Sequence, residues 1–142
     1  MAKGKSNYID SIGDQIAKLP SLTNNAKQSI VSVLHWVVLL TGVVGLFTSL
    51  KSLGLFTFFQ PYVGLTQDTQ AIGLITSTLG ILSAVLFLLS IPGIKAHKAS
   101  GWKLLFYGVI LGIILSAFMG VIGLLVYLLD LYILFQIRSY YN

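Results

Sequence analysis

The sequence predicts an all-α integral membrane protein with four transmembrane helices and both termini on the cytoplasmic side. Only 9% of the residues are charged, the mean hydropathy is +0.88, and long apolar runs alternate with short basic segments. A soluble domain has about a quarter of its residues charged, so this chain could not cover its own core with polar surface. We therefore expect a polar segment, residues 1–29, followed by a four-helix transmembrane domain, residues 30–142.

Residues 1–29 are predicted to contain a short amphipathic helix. Between Ile9 and Leu19, isoleucine and leucine recur at steps of three and four while polar residues occupy the other face, which is the helical periodicity. Pro20 ends the pattern, because the residue before a proline avoids the α conformation. The pattern favours a helix lying at the membrane interface, in the headgroup layer. Packing against a soluble partner is the alternative.

The first predicted span covers residues 30–50. A helix of this length rises about 31 Å and matches the hydrocarbon core, and Lys51 is expected to end it. The phenylalanine-rich residues 53–64 predict an aromatic segment at the far interface, with a re-entrant loop as the alternative. The second predicted span covers residues 71–91, and Pro92 is expected to terminate it.

The last apolar run, residues 104–137, is too long for one span. A single helix of that length would measure about 51 Å, well beyond the hydrocarbon core, and tilt does not absorb the difference. We therefore predict two spans, residues 104–118 and 122–137, joined by a turn near residues 117–123.

The basic residues predict the orientation and the expected surroundings. With four spans, eight of the nine basic residues, all but Lys51, fall on one side, which is the cytoplasmic side by the positive-inside rule. They flank apolar runs instead of forming one basic surface, so membrane lipids are expected as partners and nucleic acid is not. The predicted location is a plasma membrane, of the bacterial inner-membrane type.

Small residues recur every fourth position along the predicted spans. Such ridges let helix backbones approach closely in lipid, where van der Waals contact drives association. The contact is either internal or with another subunit, so other membrane proteins and a homo-oligomer are both expected partners. The ridges are Gly108, Gly112, Ser116 and Gly120 in the third span, Thr76, Gly80 and Ala84 in the second, and Thr41 and Gly45 in the first.

Asp130 is the one carboxylate inside an apolar run. An aspartate at the centre of a membrane helix costs about 2.5–3.5 kcal/mol, so we expect Asp130 to face the bundle and find a partner, or to be protonated. His35 in the first span is predicted at a similar depth, and Tyr127 lies one turn from Asp130. These three residues are the candidate site: a polar lock between the first and fourth helices, a proton or cation site, or an intersubunit contact.

His35 admits a further interpretation as the axial ligand of a haem or chlorophyll-type pigment, since a membrane histidine can hold such a metal. It is the only histidine predicted inside the membrane, so it could not form a bis-histidine site within one chain. His97 lies between lysines and is expected to be a solvated loop residue. The chain has no cysteine, which excludes disulfides and thiolate metal sites. No metal or cofactor is otherwise predicted.

Enzymatic function is not expected. The chain contains no glutamate and no G-x-S-x-G, P-loop or HExxH motif, and an intramembrane aspartyl protease needs two aspartates. The favoured function is a small accessory or scaffold subunit that acts through helix–helix contacts in a larger or self-associated membrane complex. A small proton- or cation-coupled transporter or channel using Asp130 is the alternative, and a pigment- or haem-binding subunit using His35 is the second alternative.

Overall fold

The structure, a computed structural model, describes residues 8–58, 64 and 66–141, without the side chains of residues 55–57 and 119. The described residues form helices and contain no strand, so the predicted all-α class is confirmed. The five α-helices of the described chain are α1 (Tyr8–Ile16), α2 (Asn24–Phe58), α3 (Gln67–Lys95), α4 (Ala99–Met119) and α5 (Val121–Gln136), and a short 3-10 turn follows at Arg138–Tyr140.

Helices α2 to α5 run alternately up and down, and each packs on the next along the chain. Gly45 of α2 faces Ala84 of α3, and the indole of Trp102 in α4 donates a hydrogen bond to the carbonyl of Leu134 in α5 at 2.9 Å. We call the end that holds the start of α2, the α3–α4 connection and residues 134–141 the terminal end. The opposite end is the distal end.

The outer surface of the bundle is apolar. Trp36, Leu40, Phe47 and Ile122 are 64%, 67%, 73% and 81% exposed, which would be unfavourable in water. Within the described residues, α2, α3 and α4 are long and apolar enough to cross a membrane. Helix α5 has 16 residues and rises about 24 Å, less than the hydrocarbon core of about 30 Å. The structure therefore supports a membrane protein with three candidate spans.

Two predicted helix ends are wrong. Helix α2 continues through Lys51 to Phe58, because an exposed lysine on a long flexible stem does not interrupt a helix and extends its charge toward water. The rest of the predicted aromatic segment, residues 59–63, lies outside the described residues. Helix α3 continues past Pro92 to Lys95, since a proline removes one backbone donor while its carbonyl still accepts from the amide of Ala96 at 3.1 Å.

The long apolar run divides at Gly120, within the predicted interval. Gly120 has φ +89° and ψ −177°, a conformation essentially restricted to glycine, and it ends α4 and begins α5. A Cβ placed on Gly120 would meet no atom within 4 Å. Gly120 is therefore a junction between helices, and its assignment to the packing ridge is wrong.

Helix α1 packs on the terminal end of the bundle. Ile9, Ile12 and Ile16 are partly buried against the core, and the Phe135 ring lies against Gly13. The apolar face thus has a partner within the chain, which the amphipathic pattern alone did not indicate.

Candidate functional site

Asp130 lies on the side of α5 that faces α2. The inner face of α5, which packs against the bundle, includes Tyr127, Leu131 and Leu134. Successive residues of a helix are about 100° apart around its axis, so Asp130 lies roughly 60° around α5 from Tyr127. It lines a groove of about 90 Å³ between α2 and α5, with Thr41 of α2 among the opposing residues. The apolar remainder of the lining comes from both helices and from the α3 and α4 residues at the floor: Leu34, Val37, Val38, Phe87, Leu105, Val109, Ile133, Leu134 and Ile137.

The carboxylate of Asp130 is exposed in this groove, and no hydrogen bond or ion pair is formed by it within the described residues. The predicted inward-facing lock is therefore wrong. Helix α5 is apolar on all sides, so no amphipathic stripe indicated its rotation, and packing turned Asp130 to the flank.

His35 is not brought to Asp130. It lies on another side of α2 and lines a separate recess of about 480 Å³ at the terminal end, together with His97 and Tyr140. Its ring lies 5.2 Å from that of Trp36. His97, as expected, is exposed, but it shares the recess with His35 and its ring lies 5.6 Å from Tyr141. The predicted His35–Asp130 pair does not form.

Tyr127 points into the bundle. Its ring lies on Gly112 of α4, where a Cβ would come within 2.6 Å of the ring atoms Cδ1 and Cζ. Tyr127 also lines an interior cavity of about 80 Å³ with Thr41, Ser49 and Ser83. Its hydroxyl forms no hydrogen bond with Asp130 in the described structure. Of the three candidate residues, none pairs with another.

Several other small residues of the predicted ridges lie at contacts between helices, whereas Thr41 is exposed. A Cβ on Gly108 would meet the Phe87 ring at 2.6 Å, and one on Gly80 would collide with the hydroxyl of Ser49. Ala84 is 3% exposed and faces α2, and Ser116 is 1% exposed. Thr76 is partly buried, and its hydroxyl donates a hydrogen bond to the carbonyl of Gly73 at 3.1 Å.

Three serines of α3 that the sequence did not single out are buried. Ser83 donates to the carbonyl of Gly108 in α4 at 2.9 Å, and Ser90 donates to the carbonyl of Phe87 at 2.6 Å. Ser77 is 3% exposed, and its hydroxyl has no hydrogen-bond partner in the described structure. The signal in the sequence is limited: Ser83 and Ser90 are seven residues apart and share one helix face, whereas Ser77, six residues before Ser83, lies about 120° around the helix.

Ser77 and Ser83 line two different cavities, together with other hydroxyl-bearing residues. A cavity of about 420 Å³ at the distal end is lined by Thr48, Ser49 and Ser77 among others. Ser49 also lines the interior cavity that contains Tyr127. Thr41 lines both that interior cavity and the groove of Asp130. Two hydroxyl-bearing residues therefore link the three spaces: Ser49 is shared by the distal and interior cavities, and Thr41 by the interior cavity and the groove of Asp130.

Within the described residues, no three histidine, aspartate or glutamate side chains lie close enough to hold a metal ion together. Comparison of the chain with models of protein families, with curated proteins and with solved structures found no match.

Proposed function

We propose that this chain is a small non-enzymatic membrane protein, an accessory or scaffold subunit whose α2–α5 groove takes a transmembrane helix of a partner subunit. The observation that carries the proposal is the unpaired carboxylate of Asp130 in an otherwise apolar groove. A helix that brings a hydrogen-bond donor to Asp130 would bury this carboxylate and fill the groove.

The energetics favour such a partner. A lone carboxylate in hydrocarbon is unfavourable by a few kcal/mol, and no residue of the described chain relieves it. Hydrogen bonds between membrane helices contribute about 0.6 kcal/mol on average, so the apolar walls must supply most of the affinity by close packing. Helix α2 offers that surface, because only 11% of its most apolar 18-residue stretch is buried, whereas 44% of the corresponding stretch of α4 is buried.

In this proposal the chain crosses a bacterial plasma membrane four times with both termini in the cytoplasm. The turn at Gly120 returns α5 toward the terminal end, and Lys51 at the distal end is the one basic residue predicted to lie outside. The basic residues at the terminal end support this orientation by the positive-inside rule; they include Lys27, Lys95, Lys98, Lys103 and Arg138.

A photo-crosslinker in the groove tests the proposal. Placed at Val37, which lines the groove, it should give an adduct with a defined membrane protein in cells, while the same group at Leu125 on the outer face of α5 should not. Asp130→Leu should abolish the Val37 adduct and Asp130→Asn should retain it, because asparagine still forms hydrogen bonds. An adduct with a second copy of the chain would identify the self-associated form. If the parent, Asp130→Leu and Asp130→Asn proteins all gave the same amount of the Val37 adduct, a role for Asp130 in docking would be refuted.

A second function, proton- or cation-coupled transport through Asp130, is favoured by the hydroxyl-lined cavities. The hydroxyls of Thr48 and Thr76 donate hydrogen bonds to backbone carbonyls of their own helices. Their oxygens therefore keep lone pairs for a water molecule or a cation. The unpartnered Ser77 hydroxyl is buried in the same cavity, as expected of a group that binds water.

Cysteine accessibility separates this second function from the first. The chain has no cysteine, so Ser77→Cys and Thr78→Cys each introduce a single thiol. A membrane-impermeant thiol reagent should modify the cysteine at Ser77, which lines the cavity, and spare the one at Thr78, which faces outward. Asp130→Asn should then abolish proton-coupled flux in proteoliposomes. An unmodified Ser77→Cys protein, or flux that survives Asp130→Asn, would exclude this function.

A further inference from the structure

A large cleft at the terminal end of the bundle shares no lining residue with the groove of Asp130. It has a volume of about 860 Å³ and lies between α1, the first turn of α2, the start of α4 and the end of α5. Aromatic and aliphatic side chains, including Trp102, Phe135 and Ile16, line part of its wall. A cleft of this size is within the range of small-ligand sites.

Helix α1 forms one wall of the cleft and is held by contacts with the end of α5. Asp10 forms an ion pair with Arg138 at 2.8 Å. The amide of Leu22 donates to the side-chain oxygen of Gln136 at 3.3 Å, and the hydroxyl of Tyr132 donates to the carbonyl of Pro20. These contacts hold α1 and the segment after it against the end of α5, so residues of the chain itself form the walls of the cleft.

The charges in the cleft are three basic and two acidic side chains. Arg138 is matched by Asp10 and also lies 5.3 Å from the centre of the Trp102 ring. Lys27 and Lys103 form no ion pair in the described structure, and Asp14 forms none either. The cleft thus offers two free ammonium groups, opposed by one free carboxylate, beside an apolar wall.

We infer that this cleft binds the phosphate headgroup of an anionic phospholipid, with Lys27 and Lys103 as the phosphate-binding groups. The cleft lies where the apolar parts of the helices begin, just outside Ile30 and Leu104. Headgroup phosphates lie at this level of a bilayer, and basic pockets between membrane helices on the cytoplasmic side bind such headgroups. The amphipathic α1 along one wall suits the same interface.

A lipid is favoured over a free anion because the ammonium groups stand beside aromatic and aliphatic side chains, which suit the glycerol and upper acyl chains of a phospholipid. This inference goes beyond the proposed function, since it concerns a different set of residues from those that line the groove and requires no partner subunit. It would stand if the α2–α5 groove proved empty.

The test is lipid-dependent thermal stability of the full chain in mild detergent. Added phosphatidylglycerol should raise the Tm in a saturable manner, whereas phosphatidylcholine should not. Lys27→Gln and Lys103→Gln should each weaken the apparent affinity about fivefold, the effect expected for one lysine near a membrane surface. Asp14→Asn should strengthen it, because it removes the opposing charge. Lys98→Gln is the matched control, since Lys98 lies at the same end but outside the cleft.

Three outcomes would overturn the inference. Equal stabilisation by phosphatidylcholine would mean that headgroup charge is not recognised. Stabilisation by inorganic phosphate alone, to the same extent as by phosphatidylglycerol, would mean a free-anion site. An equal loss in Lys98→Gln and Lys27→Gln would mean attraction by the general surface charge. Helical circular dichroism of each variant, and retention of binding in Lys27→Arg, would show that any loss is not caused by misfolding.

Discussion

Replacing Gly112 with alanine tests the contact between α4 and α5 most directly. The new methyl group would lie 2.6 Å from the Cδ1 and Cζ atoms of Tyr127. The Cε1 atom of the ring would be nearer still. Carbon atoms attract best at about 3.5–4.0 Å, so the ring must retreat by more than about 1 Å. The ring borders the interior cavity of about 80 Å³ beside Ser83, so a shift into that space would relieve part of the strain.

The magnitude follows from two opposing terms. Forcing an extra carbon into a packed interior costs about 1–3 kcal/mol, while exchanging glycine for alanine inside a helix gains about 1 kcal/mol. We expect Gly112→Ala to lower the free energy of unfolding by up to about 2 kcal/mol. Gly45→Ala is the matched control: its methyl would lie 3.7 Å from the Cβ of Ala84, an ordinary contact. The control should be neutral or slightly stabilising.

The assay is the free energy of unfolding in mixed detergent micelles, measured for both variants with and without Tyr127→Ala. Removing the ring should make Gly112→Ala harmless, so the double-mutant cycle should give a coupling energy of at least about 1 kcal/mol. Gly45→Ala should show no coupling to Tyr127. Equal effects of Gly112→Ala in both backgrounds would refute the contact.

Three further perturbations test other parts of the structure. Gly120→Ala should lower the free energy of unfolding by about 1–3 kcal/mol, because alanine disfavours φ +89° with ψ −177°; an unchanged Tm would mean that α4 and α5 join differently. Gly93→Ala should lower the Tm, since its methyl would lie 2.6 Å from the backbone nitrogen of Gly101; a parent-like Tm would mean that α3 and α4 cross further apart. Single cysteines at Thr66 and Ser139 should be labelled by an impermeant reagent from opposite sides of the membrane; labelling from the same side would rule out four spans.

The division of residues 104–137 into two helices shows what the length of an apolar run predicts by itself. A run of this length cannot remain in lipid as one helix, so the need for a break near residues 117–123 follows from the sequence. The position of the break at Gly120 follows from its backbone conformation, φ +89°, which the sequence indicates only through the presence of a glycine. Lys51 and Pro92 misled the prediction, because each is tolerated inside a helix when the neighbouring turns are intact.

The choice of candidate residues followed from the sequence, but their contacts did not. Asp130, His35 and Tyr127 were chosen by residue type and depth along their helices, and depth along a helix follows from counting residues. Their mutual contacts depended on helix rotation, which counting does not provide. The buried serines of α3 were overlooked for a related reason: a hydroxyl is tolerated in lipid or in a helix contact, and only packing distinguishes the two.

The sequence by itself determined the apolar character of this protein and its helical class, because scarcity of charge and length of apolar runs are properties of the chain that hold for any arrangement of its helices. Only the tertiary structure decided that Asp130 faces the α2–α5 groove, that Tyr127 lies on Gly112, and that α1 closes a cleft with Arg138. The physical reason is that helices apolar on every side carry no periodic pattern to orient them. Their rotation is set by the fit of neighbouring side chains.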